Sequence, residues 1–147
     1  FSSKPGVPNA YGLVGSTANA IEPGKRMLSS MSPSIVETPE GELFLVVGSP
    51  GGSTIITTTA QIIMNVVDYG MSIEDAVEAP RFHHQWLPDV IQMEERGFTA
   101  ETAQALKAMG HSIKYRYSIG EANCIQIEDD LIYGSADSRR NSSAVGY

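Results

Sequence analysis

Apolar and polar positions fall into a readable pattern from Ser34 onward. Ser34-Ile35-Val36-Glu37, a Pro39-Glu40-Gly41 turn and Leu43-Phe44-Leu45-Val46-Val47 predict a hairpin whose second strand is buried on both faces. A helix is predicted over 53–69, where Ile56, Ala60, Ile63 and Val67 form one stripe and Ile55, Ile62 and Val66 widen it. So wide a stripe implies a largely buried helix. Gly70 supplies a C-cap, and Ser72 with Asp75 opens a short helix through Ala79 that Pro80 ends. A loop over 81–89 leads to a strand at 90–94. Thr99 then caps a helix in which Ala103, Leu106 and Met109 are spaced three apart, and Gly110 stops it. Strands are predicted at 113–117, 123–127 and 131–133, with Asp129-Asp130 as the turn between the last two.

Residues 1–33 are rich in Gly, Pro, Ser and Asn and read as extended loop with at most one short strand, around 11–14. The order strands, helices, strands predicts an α+β layered fold over a single domain, 1–147, without internal repeats. Composition agrees: 147 residues, 41% hydrophobic and 18% charged, suit one globular core. The longest apolar run is far short of a membrane span of about 20 residues. A net charge of −7 without a dense Lys/Arg run disfavours nucleic acid as a partner. Cys124 is the sole cysteine, so no internal disulfide can form and the redox compartment is left open. Phe1 stands where a Met would begin a chain, and the native start is expected to be missing.

Gly48-Ser49-Pro50-Gly51-Gly52-Ser53 lies between a predicted buried strand and a predicted helix start, where free N–H groups and the positive end of the helix dipole attract negative charge. Two glycines let a reacting group approach the backbone, so the Gly51 and Gly52 amides could stabilise the oxyanion of an acyl-transfer intermediate. A phosphate would be held by the same physics, but a P-loop needs a Lys where Ser53 and Thr54 stand. A tight turn would use the same glycines. Upstream, Leu28-Ser29-Ser30-Met31-Ser32-Pro33 gathers hydroxyls able to donate to a carboxylate; Ser29 and Ser30 can serve one ligand only if the chain bends between them or a backbone N–H helps.

Both segments, in this order and about twenty residues apart, resemble the gamma-glutamyltransferase family, as do Lys4-Pro5-Gly6-Val7-Pro8-Asn9 and Ala79-Pro80-Arg81-Phe82-His83-His84-Gln85-Trp86-Leu87-Pro88. The resemblance covers nearly the whole chain and implies the carboxy-terminal part of the family's small subunit. It implies an N-terminal-nucleophile hydrolase fold, the αββα four-layer sandwich, and a self-cleaving precursor whose exposed threonine is the nucleophile and supplies its own base. Phe1 cannot be that residue, and the isolated chain is expected to be inactive. Ser29 and Ser30 would bind the alpha-carboxylate of the gamma-glutamyl group, and Gly51 and Gly52 would form the oxyanion hole. The family's acidic residue for the alpha-amino group lies just before the position of Phe1, and its large subunit adds an arginine. The implied substrate is glutathione or a related gamma-glutamyl donor, with no cofactor, in a periplasmic or extracellular setting. A poly-gamma-glutamate hydrolase or transpeptidase and a non-catalytic gamma-glutamyl-binding module are the alternatives.

The remaining candidates read as structural. His83 and His84 are adjacent, which suits metal chelation poorly, and they are expected to pack or hydrogen-bond near the rim of the site. His111 is expected to be exposed and Cys124 to be an inert buried thiol. No Gly-x-Ser-x-Gly elbow occurs. Ser138 stands where the family has proline, so Asp137 and Arg139 are expected to form structural ion pairs or to be solvated rather than to catalyse. Asn141-Ser142-Ser143 fits a short glycosylation acceptor pattern.

Overall fold

The computed structural model describes residues 2–146, so Phe1 lies outside the described residues. Strand β1 (Ser34–Glu37) pairs antiparallel with β2 (Leu43–Gly48), as the hairpin pattern predicts. The helix that follows is α1 (Ile55–Val67), entered through a 3-10 turn over Gly52–Thr54. Next come α2 (Ile73–Glu78), β3 (Phe82–His83), β4 (Ile91–Glu94) and α3 (Ala100–Ala108), then β5 (Ile113–Arg116), β6 (Asn123–Glu128) and β7 (Leu131–Ala136). Local signals explain several boundaries. The Ser72 hydroxyl accepts from the Asp75 amide at 3.1 Å to start α2, and the Thr99 hydroxyl accepts from Thr102 at 3.1 Å to start α3. Asp129 and Asp130, with φ of 50° and 62°, make the left-handed two-residue turn that joins β6 to β7.

Two sheets result. One is antiparallel throughout, in the order β1-β2-β6-β7, and the other runs β3-β4-β5, with β4 and β5 parallel. The crossover β4-α3-β5 is one βαβ unit, and among the described residues it is not repeated. Helices α1 and α2 pack on the larger sheet around a core of Leu45, Val47, Ile62, Val66, Ile73, Ala76, Val77, Ala122 and Cys124. Among the described residues, no helix is long and apolar enough to cross a membrane.

Four expectations are corrected. Strand β2 is sealed on one face only: Leu45 and Val47 are fully buried, while Val46, across from Ile35 and Ile125, belongs to a sheet face on which those two isoleucines are 70% and 43% exposed. The helix stripe is also different. Thr58, Thr59, Ile62 and Val66 face the core, whereas Ile56, Ala60 and Val67 point outward and Ile63 is half-buried. The two stripes sit one residue, about 100°, apart on the helix, so their hydrophobicity alone does not choose between them. In α3 only Ala103 is buried, and Met109 is exposed. The segment before Ser34 forms isolated bridges, Ser2 with Ala20 and Pro8 with Val14, and a 3-10 turn at Thr17–Asn19 rather than a strand of its own.

Candidate active site

The turn between β2 and α1 demands its glycines. Gly51 has φ of 147° and Gly52 a φ of 60°. A Cβ on Gly51 would lie 2.5 Å from the Thr54 hydroxyl, and one on Gly52 would lie 2.5 Å from the ring of Tyr11. Carbonyls in this turn are occupied: the Gly51 carbonyl accepts from the Thr54 amide at 3.2 Å and from the Thr54 hydroxyl at 3.0 Å. The amides are not. Among the described residues neither Gly51 nor Gly52 donates its N–H to a protein acceptor. Those free donors sit at the amino end of α1, where the helix dipole favours negative charge.

Ser29, Ser30 and Gly52 line one cavity of about 510 Å³, together with Tyr11, Gln85 and Trp86. Its size is that of a small-molecule site. The Ser29 hydroxyl accepts from the Met31 amide at 3.1 Å, and both serines border the same space. Ser30 is half-buried, and its carbonyl accepts from the Ser32 hydroxyl at 3.1 Å. Gly51 borders a different, smaller cavity of about 150 Å³ beside Arg116 and Arg140. Three of the four candidate residues therefore share a space, and the fourth is the covalent neighbour of one of them.

His83 is buried and structural: its Nδ1 pairs with the Thr57 hydroxyl at 2.8 Å and its Nε2 with Gln85 Oε1 at 2.9 Å. Gln85 in turn donates to the Tyr11 carbonyl at 3.0 Å, which fixes the segment whose ring lies against Gly52. His84 pairs with Asp89 at the surface and His111 is exposed. Among the described residues no three His, Cys, Asp or Glu side chains gather to hold a metal. Burial pushes the Cys124 thiol up to about 11, so it is an inert core group.

Behind the turn lies a buried ionic cluster. Arg81 donates to Asp137 at 2.7 Å, and Arg139 donates to Asp137 at 3.1 Å and to both Glu94 oxygens at 2.6 Å. Asp137 and Arg139 are thus structural ion-pairing residues, and the alternative of surface solvation falls away. Burial by itself would raise the Asp137 carboxyl, but the Ala122 and Arg139 amides and the Arg81 guanidinium outweigh it and hold the group below the usual range. Glu94 is likewise held low: burial opposes ionisation, and Arg139 with the Arg81 and Ile119 amides overcomes it. Burial and the nearby Arg139 charge lower Arg81, whereas Arg139, despite burial, is raised by Glu94 and Asp137. The cluster grips one loop, since Ile119 donates to Glu94 at 2.8 Å, Ala122 donates to Asp137 at 2.8 Å and Arg81 donates to the Ile119 carbonyl at 2.9 Å. Glu94 and Arg81 carried no signal of this in sequence, because their partners lie up to 56 positions away.

The gamma-glutamyltranspeptidase family model matches residues 1–147. This chain belongs to the gamma-glutamyltranspeptidase family. It is 51% identical over 140 residues to the glutathione hydrolase proenzyme of Escherichia coli strain K12, an alignment covering 95% of this chain and 24% of that protein. The crystal structure of the T380A mutant of Helicobacter pylori gamma-glutamyltranspeptidase matches with a TM-score of 0.90 and 53% identity, over 95% of this chain and 77% of that one. The Pseudomonas nitroreducens gamma-glutamyltranspeptidase complexed with L-DON matches with a TM-score of 0.91 and 47% identity, over all of this chain and 77% of that one. The chain spans about a quarter of the length of the curated relatives it matches. Its sheets and helices are part of the N-terminal-nucleophile hydrolase αββα sandwich of that family.

Proposed function

We propose that this chain is the donor-binding and oxyanion-stabilising part of a gamma-glutamyl acyl-transfer enzyme. A threonine outside this chain attacks the gamma-carbonyl of glutathione or a similar donor, the carbonyl oxygen becomes an oxyanion, and the amine departs protonated. Water or an acceptor amine then attacks the gamma-glutamyl-threonine ester, releasing glutamate or a new gamma-glutamyl compound and regenerating threonine. Ser29 and Ser30 hold the alpha-carboxylate, and the Gly51 and Gly52 amides stabilise the oxyanion. No cofactor takes part.

The observation that carries this reading is the shared cavity of Ser29, Ser30 and Gly52, with unpaired amides in its glycine turn. The large subunit and the preceding part of the small subunit are the proposed partners, and the apolar sheet face around Ile35 and Ile125 suits burial against the rest of such a sandwich. A periplasmic or extracellular setting is proposed with the activity. The test is Gly51→Val in the complete enzyme that contains this chain, assayed with a gamma-glutamyl anilide. Turnover should fall by about 10²–10³, and wild-type turnover would sink the assignment. A gamma-glutamyl polymer offered as competing donor separates the polymer-acting alternative, and saturable binding without turnover in the parent would favour the binding module.

A further inference from the structure

We propose that the hydroxyls of Ser49 and Thr54 are positioning groups that aim the two oxyanion-binding amides, an inference that rests on the functional reading above. A trans peptide unit is planar, and its C=O and N–H point in opposite directions. The Gly51 N–H belongs to the same unit as the Pro50 carbonyl, and the Gly52 N–H to the same unit as the Gly51 carbonyl. Each carbonyl is held by a neighbouring side chain. The Ser49 hydroxyl donates to the Pro50 carbonyl at 2.7 Å, and the Thr54 hydroxyl donates to the Gly51 carbonyl at 3.0 Å. Fixing the carbonyl end of a rigid plane fixes the direction of its amide.

The need for such anchors follows from the backbone. Two successive glycines have the greatest conformational freedom of any residue pair, and neither amide is tied to a protein acceptor among the described residues. A hydrogen bond accepted by the carbonyl also polarises the unit and strengthens its N–H as a donor. Both anchors are themselves held by their surroundings. Thr54 is buried, and Ser49 accepts from the Glu121 amide at 3.0 Å, on the loop that Arg81, Glu94 and Asp137 hold.

The test uses the complete enzyme containing this chain, with steady-state turnover of a gamma-glutamyl anilide. Ser49→Ala and Thr54→Val should each lower kcat by about ten- to a hundredfold while KM stays within about twofold, because orientation toward the transition state is lost and ground-state binding is not. Ser49→Thr and Thr54→Ser, which keep the hydroxyl, should recover most of the loss. Parental kcat in both Ser49→Ala and Thr54→Val, a change in KM alone, or no recovery with the conservative variants would overturn the positioning role and leave the functional reading standing. A parent without turnover would sink both. If Ser49→Ala does not accumulate as folded protein, the Thr54→Val and Thr54→Ser pair decides the matter.

Discussion

Asp137→Asn tests the buried ionic cluster most directly. The wild-type carboxylate is fully buried and accepts four hydrogen bonds: Oδ2 from Arg81 and the Ala122 amide, Oδ1 from the Arg139 amide and guanidinium. Asparagine has the same shape but one acceptor oxygen. Whichever way its amide turns, the NH2 faces two donors, so two bonds are lost and a buried arginine charge is left short of its partner. Breaking one side of a buried pair costs about 3–5 kcal/mol, and two charge-assisted bonds at about 1.5–3 kcal/mol each give a similar sum. For 147 residues, an unfolding entropy of about 2.1 cal/mol/K per residue converts this to a fall in Tm of about 10–15 °C. Urea and thermal unfolding followed by circular dichroism measure it. A loss below about 1 kcal/mol would refute the reasoning that this cluster clamps α2, whose Val77 carbonyl accepts from Arg81 and Arg139, to β4 and the loop over 119–122.

Acid should expose the same cluster. Asp137 and Glu94 are held below the usual carboxylate range, so their contribution is fully present above the unfolded-state values of about 4 and is lost as pH falls through the lower folded-state values. The urea midpoint should therefore fall on acidification below about pH 4, and a midpoint that rises there would contradict the assignment. Cys124, 4% exposed and pushed up to about 11, should resist thiol reagents in the native protein at pH 8 and react on denaturation. Rapid stoichiometric labelling without denaturant would show that the β6 core opens far more readily than its packing implies.

What the sequence determined by itself was local chemistry. Ser72 and Thr99 announce helix starts because a hydroxyl at that position satisfies an amide two or three residues on, and Asp129-Asp130 announces a tight turn because short polar side chains tolerate left-handed backbone. The serine pair and the glycine pair stand out for the same reason, each being a contiguous run with its own donors, and the family resemblance rests on them together with the segments 4–9 and 79–88. Tertiary structure decided the remainder. It chose between the two apolar stripes of α1, which carry similar hydrophobicity and differ only in what packs against them. It also paired Arg81 with Asp137, set Ser49 against Glu121 and laid Tyr11 on Gly52, contacts between residues 41 to 72 positions apart for which spacing along a chain carries no signal. Such contacts exist only once the sheet and helices have packed, because burial makes an unpaired charge or amide costly enough to enforce its partner.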